Sequence, residues 1–346
     1  MFSIENCLKD DTASTLIIAE IGQAHDGSLG MAHAYIDLAK KVGADAVKFQ
    51  THIPSAESSS KDVFRVNIFP QDKTRFDYWR RTQFEEEQWA GLSRHANDCG
   101  LVFLSSPFSF EAIDLLQKLD VSAWKVASGE INNIPALRYM AATKKPILLS
   151  SGMSSWEDLD EATKLLNSCK SNYGLFQCTS SYPCPLEDVG INVIEEMQKK
   201  YKVPVGLSDH SGSIIPSLTA VARGASMVEA HLVFSKDCFG PDIDASLTGD
   251  QFQMMVEGIR DVETLLQNPI DKDGVSANFS RMRTLFGKSL YAKRRIAKGS
   301  RFTKDDIILL KPDTGIPSRK LDKLIGHTSS YDYNEGELIR NDEINE

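Results

Sequence analysis

The chain lacks the marks of several protein classes. Its 346 residues include six cysteines, Cys7, Cys99, Cys169, Cys178, Cys184 and Cys238, with no CxxC spacing. Such sparse, unpatterned cysteine predicts reduced thiols rather than a disulfide framework. The longest apolar runs, such as Leu16-Ile17-Ile18-Ala19, are far too short to span a bilayer. The opening residues MFSIENCLKDD carry no apolar leader, so the expectation is a cytoplasmic protein with no membrane partner. Basic residues are outnumbered, 39 Lys and Arg against 48 Asp and Glu, for a net charge of −9. That balance argues against a nucleic-acid partner. It does not exclude an anionic small substrate, because a few placed lysines can dominate a pocket. No GxGxxG follows the first predicted strand, which counts against a dinucleotide-binding fold.

What is present is alternation. Short β-branched runs are predicted as strands at 15–22, 46–51, 102–106, 123–128, 146–150, 173–179, 205–207 and 227–233. Helical apolar spacing follows each, at 29–42, 84–99, 110–119, 134–143, 155–166, 189–200, 214–223 and 250–266. A polar insert, roughly His52–Arg81, precedes the second helix. Eight strand–helix units over about 265 residues predict an α/β fold, a closed (β/α)8 TIM barrel rather than an open doubly wound sheet. The barrel domain is expected over 1–270. Residues 271–285 read as a polar linker. The tail, 286–346, shows short β-like runs at 289–292, 307–310 and 337–339 between Gly-containing turns, and reads as a small, mainly β domain. A core that small is marginal alone, so it is expected to pack on the barrel or on a partner subunit.

In such a barrel the catalytic face lies at the C-terminal ends of the strands. Polar residues gather there: Glu20, Lys48 with Gln50, Ser105 with Ser106, Lys125 with Ser128 and Glu130, Ser150, Ser180 with Tyr182, Ser208-Asp209-His210, and Glu229 with His231. Taken singly, each is open to a structural reading as a rim ion pair or a turn residue. Lys48 and Lys125 interrupt apolar strands, AVKFQ and AWKVA, where an unpaired charge is costly. Two lysines with several hydroxyls at one mouth make a phosphate site. His210 and His231 end adjacent predicted strands. They suit a divalent ion with positions open to water or substrate, or are buried histidines satisfied by backbone. Glu20 and Glu130 suit general acid–base work, or a structural ion pair with a lysine. Asp242, on the loop after the eighth strand, binds a sugar hydroxyl or caps a turn.

Together these stretches resemble the sialic acid synthase family: IAEIGQAHDGS (18–28), AVKFQTH (46–52), FLSSPFS (103–109), AWKVASGEINNIP (123–135), ILLSSGM (147–153), CTSSYPCP (178–185), VGLSDHSG (205–212) and FGPDIDASL (239–247). The tail is similar to the SAF (antifreeze-like) domain of the same enzymes, in 288–307, 311–327 and 333–339. The resemblance implies condensation of phosphoenolpyruvate with an open-chain N-acyl hexosamine and water, giving a nine-carbon 3-deoxy-2-keto sugar acid and phosphate. It further implies that His210 and His231 bind Mn2+, with Mg2+ or Co2+ able to replace it. Lys48, Ser106, Lys125, Ser128, Ser150, Ser180 and Ser208 would hold phosphoenolpyruvate. Ser106 stands where the family often has Thr, and Ser180 where some relatives have Asn. Glu130 would act on the attacking water, with Glu20 and Lys48 completing the catalytic set. Glu20, Gln50, Tyr182 and Asp242 would bind the amino sugar, with Lys311 where the SAF domain usually has Arg. A domain-swapped homodimer is implied. The alternatives are a related synthase acting on a 6-phosphorylated or diamino sugar, and a non-catalytic sugar-binding barrel.

Overall fold

A computed structural model describes residues 2–9, 14–59, 61–64 and 71–344. Part of the predicted insert, residues 60 and 65–70, lies outside them. The chain divides into two compact units, 1–267 and 268–346.

The first unit is a (β/α)8 barrel. Its strands are β1 (Leu16–Gly22), β2 (Ala46–Thr51), β3 (Val102–Pro107), β4 (Trp124–Val126), β5 (Ile147–Ser150), β6 (Tyr173–Cys178), β7 (Val205–Asp209) and β8 (Met227–Val233). They pair in parallel along the path β3-β2-β1-β8-β7-β6-β5-β4, with β3 and β4 flanking the seam. The barrel helices are α1 (Leu29–Lys41), α2 (Glu86–Asp98), α3 (Phe110–Lys118), α4 (Ile134–Ala142), α5 (Trp156–Ser168), α6 (Ile191–Tyr201), α7 (Ile215–Ala222) and α8 (Gly249–Gln267). Several start where the sequence supplies a cap. Ser28, Ser109 and Ser155 each accept a backbone N–H from the first turn. A two-residue strand, β9 (Leu247–Thr248), pairs in parallel with the end of β8.

Strand alternation sorts the residues into layers. Ile17, Ala19, Val47, Phe49, Trp124, Ile147, Leu149, Leu207 and Val228 face outward and pack under the helices. Leu16, Ile18, Ala46, Val102, Leu104, Ala123, Leu148, Phe176 and Met227 face inward and form an apolar floor. An N-terminal helical turn, Ile4–Cys7, joins that floor from below. Gly206 makes room in it, since a Cβ there would stand 2.5 Å from the Met227 carbonyl oxygen.

Three expectations change. The 52–81 insert carries a helical turn, Pro54–Glu57, and a helix, Arg75–Thr82, capped by Thr74. Stretch 271–285 carries two seven-residue helices, Lys272–Asn278 and Ser280–Phe286. The first starts because the Asp271 carboxylate accepts the N–H groups of Asp273 and Gly274. The third predicted strand of the tail pairs only through a bridge between Tyr291 and Leu338.

In the second unit β10 (Ser289–Ala292) and β11 (Ile307–Leu310) pair antiparallel. Leu290, Ala292, Ile296, Phe302, Ile316, Leu324, Tyr333 and Ile339 form its core. The buried Glu343 closes it, accepting from the Tyr333 hydroxyl at 2.8 Å and the Ser330 N–H at 2.9 Å.

Candidate active site

One step up each strand from the apolar floor, the inward positions turn polar. Register sets the neighbours: Glu20 lies beside Lys48 and His231, Gln50 beside Ser106, and Ser208 beside Glu229. Glu20, Lys48, Gln50, Ser106, Lys125, Ser150, Cys178, Ser208, Glu229 and His231 thus ring one inner chamber of about 60 Å³, with Ser128, Tyr182 and His210 at its lip. The sequence-predicted residues of seven strands therefore meet in one place.

Charge in this chamber is paired. Lys48 Nζ lies 2.8 Å from Glu20 Oε2 and 3.5 Å from Glu229 Oε1. Lys125 Nζ lies 3.3 Å from Glu229 Oε2 and donates to Ser150 Oγ at 2.7 Å. Both lysines are at most 3% exposed. Burial works against the charge of both. At Lys48 the two carboxylates outweigh burial and raise the pKa; at Lys125 burial prevails and lowers it. Burial also opposes charge on Glu229, but Lys125, Lys48 and His231 outweigh it and hold that carboxyl below its ordinary value. Glu229 is the residue to which sequence reading gave no role. Its meaning is pairwise, with lysines on β2 and β4 that are remote in sequence. The buried Ser106 Oγ has no hydrogen-bond partner among the described residues. With the ammonium groups, it leaves a donor set for an anion.

His210 and His231 stand with ring centroids 5.4 Å apart. His210 Nδ1 lies 2.9 Å from the Thr179 carbonyl oxygen. A carbonyl only accepts, so Nδ1 carries the proton and Nε2 keeps its lone pair. Burial, then His231, pushes the His210 pKa down to about 3, so the ring is neutral. Tyr182 stacks on it at 4.0 Å. A neutral imidazole whose second nitrogen is anchored to backbone is a prepared metal ligand, so the donor set fits a divalent ion. Asp209 accepts from the Ser211 N–H at 3.1 Å and the Ser211 hydroxyl at 2.7 Å, which shapes the turn that carries His210.

Above the inner chamber lies a second one, of about 330 Å³, sharing Gln50, Ser128 and Tyr182 with it. Ser180 and Asp242 line it, as do Gln23, Phe108 and Met153. Phe64, Arg75, Tyr78 and Trp79 also line it; these come from the insert and carried no sequence signal. The floor of this chamber is tied to its wall. Gln50 Nε2 donates to Glu20 Oε1 at 2.8 Å, and Gln50 Oε1 faces His52 Nε2 at 3.3 Å. His52 Nδ1 meets Glu57 Oε1 at 2.7 Å. The His52 ring is sandwiched between Trp79 and Phe108, at 3.6 and 4.3 Å. Lys236, also without a sequence signal, donates to the carbonyls of Ile243, Asp244 and Ser246 and so fixes the loop that carries Asp242. Gly152 lets Ser128 and Ser180 converge, since a Cβ there would stand 2.4 Å from Ser180 Oγ.

Within the first unit, one predicted site residue is not brought to these chambers. The described lining of neither includes Glu130. That residue ends a short 3₁₀ turn after β4, half-buried, and accepts from Asn133 Nδ2 at 2.9 Å. Burial raises its pKa and Glu57 adds to the rise. Lys311 belongs to the second unit, where its ammonium lies 5.1 Å from the centre of the Phe286 ring.

Residues 35–271 match the model of the NeuB family, and residues 287–345 that of the SAF domain. The chain belongs to the NeuB family. It is 34% identical over 334 residues to the N,N'-diacetyllegionaminic acid synthase of Campylobacter jejuni, spanning 94% of this chain and 99% of that one. It is equally identical, over 314 residues, to the N-acetylneuraminate-9-phosphate synthase of Homo sapiens, spanning 90% and 87%. A crystal structure of a spore coat polysaccharide biosynthesis protein from Bacillus subtilis superposes with a TM-score of 0.64 at 29% identity, covering 96% of both chains. This NeuB-family chain is therefore an enzyme of the synthase type, which sets aside the non-catalytic barrel. Among its described residues no helix is long and apolar enough to cross a membrane.

Proposed function

We propose that this enzyme condenses phosphoenolpyruvate with an open-chain N-acyl hexosamine and water, releasing phosphate and a nine-carbon 3-deoxy-2-keto sugar acid. The observation that carries this reading is the pair of buried ammonium groups, Lys48 and Lys125, beside the unpartnered Ser106 hydroxyl and the His210–His231 pair. Lys48, Lys125, Ser106, Ser150 and Ser208 bind the phosphate and carboxylate of phosphoenolpyruvate at the floor. Ser128 and Ser180 border its upper side. Glu20, Gln50, Tyr182 and Asp242 orient the sugar in the larger chamber, so that its aldehyde carbon meets C3 of phosphoenolpyruvate. A divalent cation held by His210 and His231, Mn2+ or in its place Mg2+ or Co2+, would polarise the aldehyde oxygen as a Lewis acid. Carbon–carbon bond formation leaves C2 electron-poor, water adds there, and the tetrahedral intermediate expels phosphate. Glu20, already hydrogen-bonded to Gln50 and paired with Lys48, is the carboxylate in reach of the water proton. Glu130, with its raised pKa, serves from the rim if the loop after β4 closes over substrate.

We also propose a cytoplasmic homodimer in which Lys311 of a SAF domain completes the sugar site. The exposed apolar side chains of Phe279, Met282, Leu285 and Phe286 support an intersubunit role for the segment before the SAF domain.

The test is phosphate release from phosphoenolpyruvate, measured against free, 6-phosphorylated and diamino N-acyl hexosamines. Turnover with one free sugar supports the reading. Turnover only with a phosphorylated sugar favours the second reading, for which Arg75, paired with Asp62 at 3.4 Å, is a cation that lines the outer chamber. No release with any acceptor overturns both. His210→Ala abolishes metal-dependent turnover without unfolding the chain; full activity in that variant refutes the metal assignment.

A further inference from the structure

Away from both chambers, α1 and α2 bring four metal-binding side chain types together. His33 and Asp37 stand one turn apart on α1; His95 stands on α2, and Cys99, its C-terminal cap, one turn further. None of the four lines the catalytic chambers. His95 Nε2 lies 3.0 Å from Asp37 Oδ1, and Cys99 Sγ lies 4.0 Å from that same oxygen. One donor atom from each of Asp37, His95 and Cys99 falls within 4.8 Å of the other two. In a tetrahedral zinc site, with bonds of about 2.0 Å to nitrogen or oxygen and about 2.3 Å to sulfur, donor atoms stand about 3.3 to 3.6 Å apart. Asp37 is exposed and His95 and Cys99 are partly so, and small rotamer shifts cover the difference.

The fourth residue sets the tautomer. His33 Nδ1 lies 2.8 Å from His95 Nδ1. Two ring nitrogens at that distance share one proton. In the metal-free chain the Asp37 carboxylate accepts the His95 Nε2 proton at 3.0 Å and His33 Nδ1 donates to His95 Nδ1. With an ion bound, His95 instead donates its Nδ1–H to His33, the Nε2 proton passes through solvent to His33 Nε2, and His95 Nε2 presents its lone pair to the ion. A ligand histidine whose other nitrogen is held by a hydrogen bond is the usual arrangement around bound zinc.

We infer that Asp37, His95 and Cys99 form a three-ligand site for a borderline divalent ion of the Zn2+ or Co2+ kind, with His33 as the positioning residue behind His95. Binding releases the Cys99 thiol proton to solvent. A carboxylate and a thiolate then neutralise the 2+ charge, and the fourth position stays open to water. Mixed N, O and S donors select this class of ion over Mg2+ or Ca2+. The site clips α1 to α2. Barrel helices run antiparallel to the strands, so Cys99 at the end of α2 lies toward the barrel face opposite the catalytic mouth.

The test is Co2+ titration of the full chain, metal-free and reduced, followed by absorption. A thiolate-to-cobalt band in the near ultraviolet is expected, with the intensity of one thiolate-bound Co2+ per chain, since an ion taken by His210 and His231 adds no such band; absence of the band overturns the site. Cys178 lies 3.8 Å from His210, so the source of the sulfur must be separated. The band must persist in His210→Ala and vanish in Cys99→Ser, and Asp37→Asn must weaken it. His33→Phe should weaken Co2+ binding by about 10- to 100-fold, and His33→Gln, which keeps an acceptor, should recover part of it. Turnover stays at the wild-type level in Cys99→Ser and Asp37→Asn. Equal spectra and stoichiometry in wild type and Cys99→Ser, or loss of the band in His210→Ala instead, overturns the site.

Discussion

Glu229 holds Lys125 at 3.3 Å with both of its carboxylate oxygens, and one of those oxygens also faces Lys48. One carboxylate thus answers for much of the charge of two buried ammonium groups. Glu229→Gln removes it while keeping the shape. Loss of one partner from a buried pair costs about 3–5 kcal/mol, because the remaining charge is left uncompensated. The expected outcome is a lower urea midpoint in phosphate-free buffer. Inorganic phosphate should then stabilise the variant more than the wild type, since the anion takes the place of the carboxylate; saturation at 100 times Kd is worth about 2.7 kcal/mol. Equal midpoints and equal phosphate responses would remove Glu229 from the centre of the site.

A second prediction concerns His52, which touches no proposed substrate atom but holds Gln50. Its ring is fixed by the Trp79–Phe108 sandwich and by Glu57. His52→Phe keeps the stacking and deletes both hydrogen bonds. A net hydrogen bond is worth about 0.5–1.5 kcal/mol, so KM for the acceptor sugar should rise about 2- to 10-fold while KM for phosphoenolpyruvate stays put. Glu57→Gln, which leaves the ring in place, should give a smaller change in the same direction. A matched rise in both KM values would mean that His52 acts on the fold rather than on Gln50.

The inner chamber was legible in the sequence because it follows period two. A lysine in AVKFQ or AWKVA has to point along an inward column, and the column ends at the mouth. Eight such columns on a recognised strand–helix alternation leave one place for Lys48, Lys125, Ser150, Ser208 and the two histidines. The insert side of the outer chamber, Phe64, Arg75, Tyr78 and Trp79, was not legible, because irregular chain builds it. The Arg75–Thr82 helix spans about two turns, too short for helical periodicity to stand out, and the tie between His52 and Glu57 depends on a single turn at Pro54. The helix Lys272–Asn278 escaped for a similar reason: its seven residues include Gly274, and only the Asp271 cap announces it. Glu130 shows how sequence adjacency leaves direction open. Adjacency to Ser128 in sequence suggested a place in the chamber, but the 3₁₀ turn rotates its side chain toward Asn133.

A last prediction follows from His25, three residues past the end of β1. Its ring is 1% exposed and packs against Phe84 at 4.7 Å. Nδ1 accepts the Gly27 N–H at 3.1 Å, so the ring is neutral with its proton on Nε2. Burial, then the neighbouring His52, pushes its pKa down to about 3 in the folded chain. In the unfolded chain it returns to about 6.5. Between those values the unfolded state binds the extra proton. The contribution of His25 to stability is therefore complete above pH 6.5 and is lost as pH falls toward 3, at about 1.4 kcal/mol per pH unit. His25→Asn keeps an acceptor for Gly27 but does not titrate. It should be less stable than wild type at pH 7, because the ring packing is gone. The gap should narrow by about 2–3 kcal/mol at pH 4.5, since other acid-sensitive groups are common to both chains and cancel. Urea midpoints of the two proteins at several pH values give the comparison. Parallel stability curves across that range would show that His25 is not buried as a neutral ring.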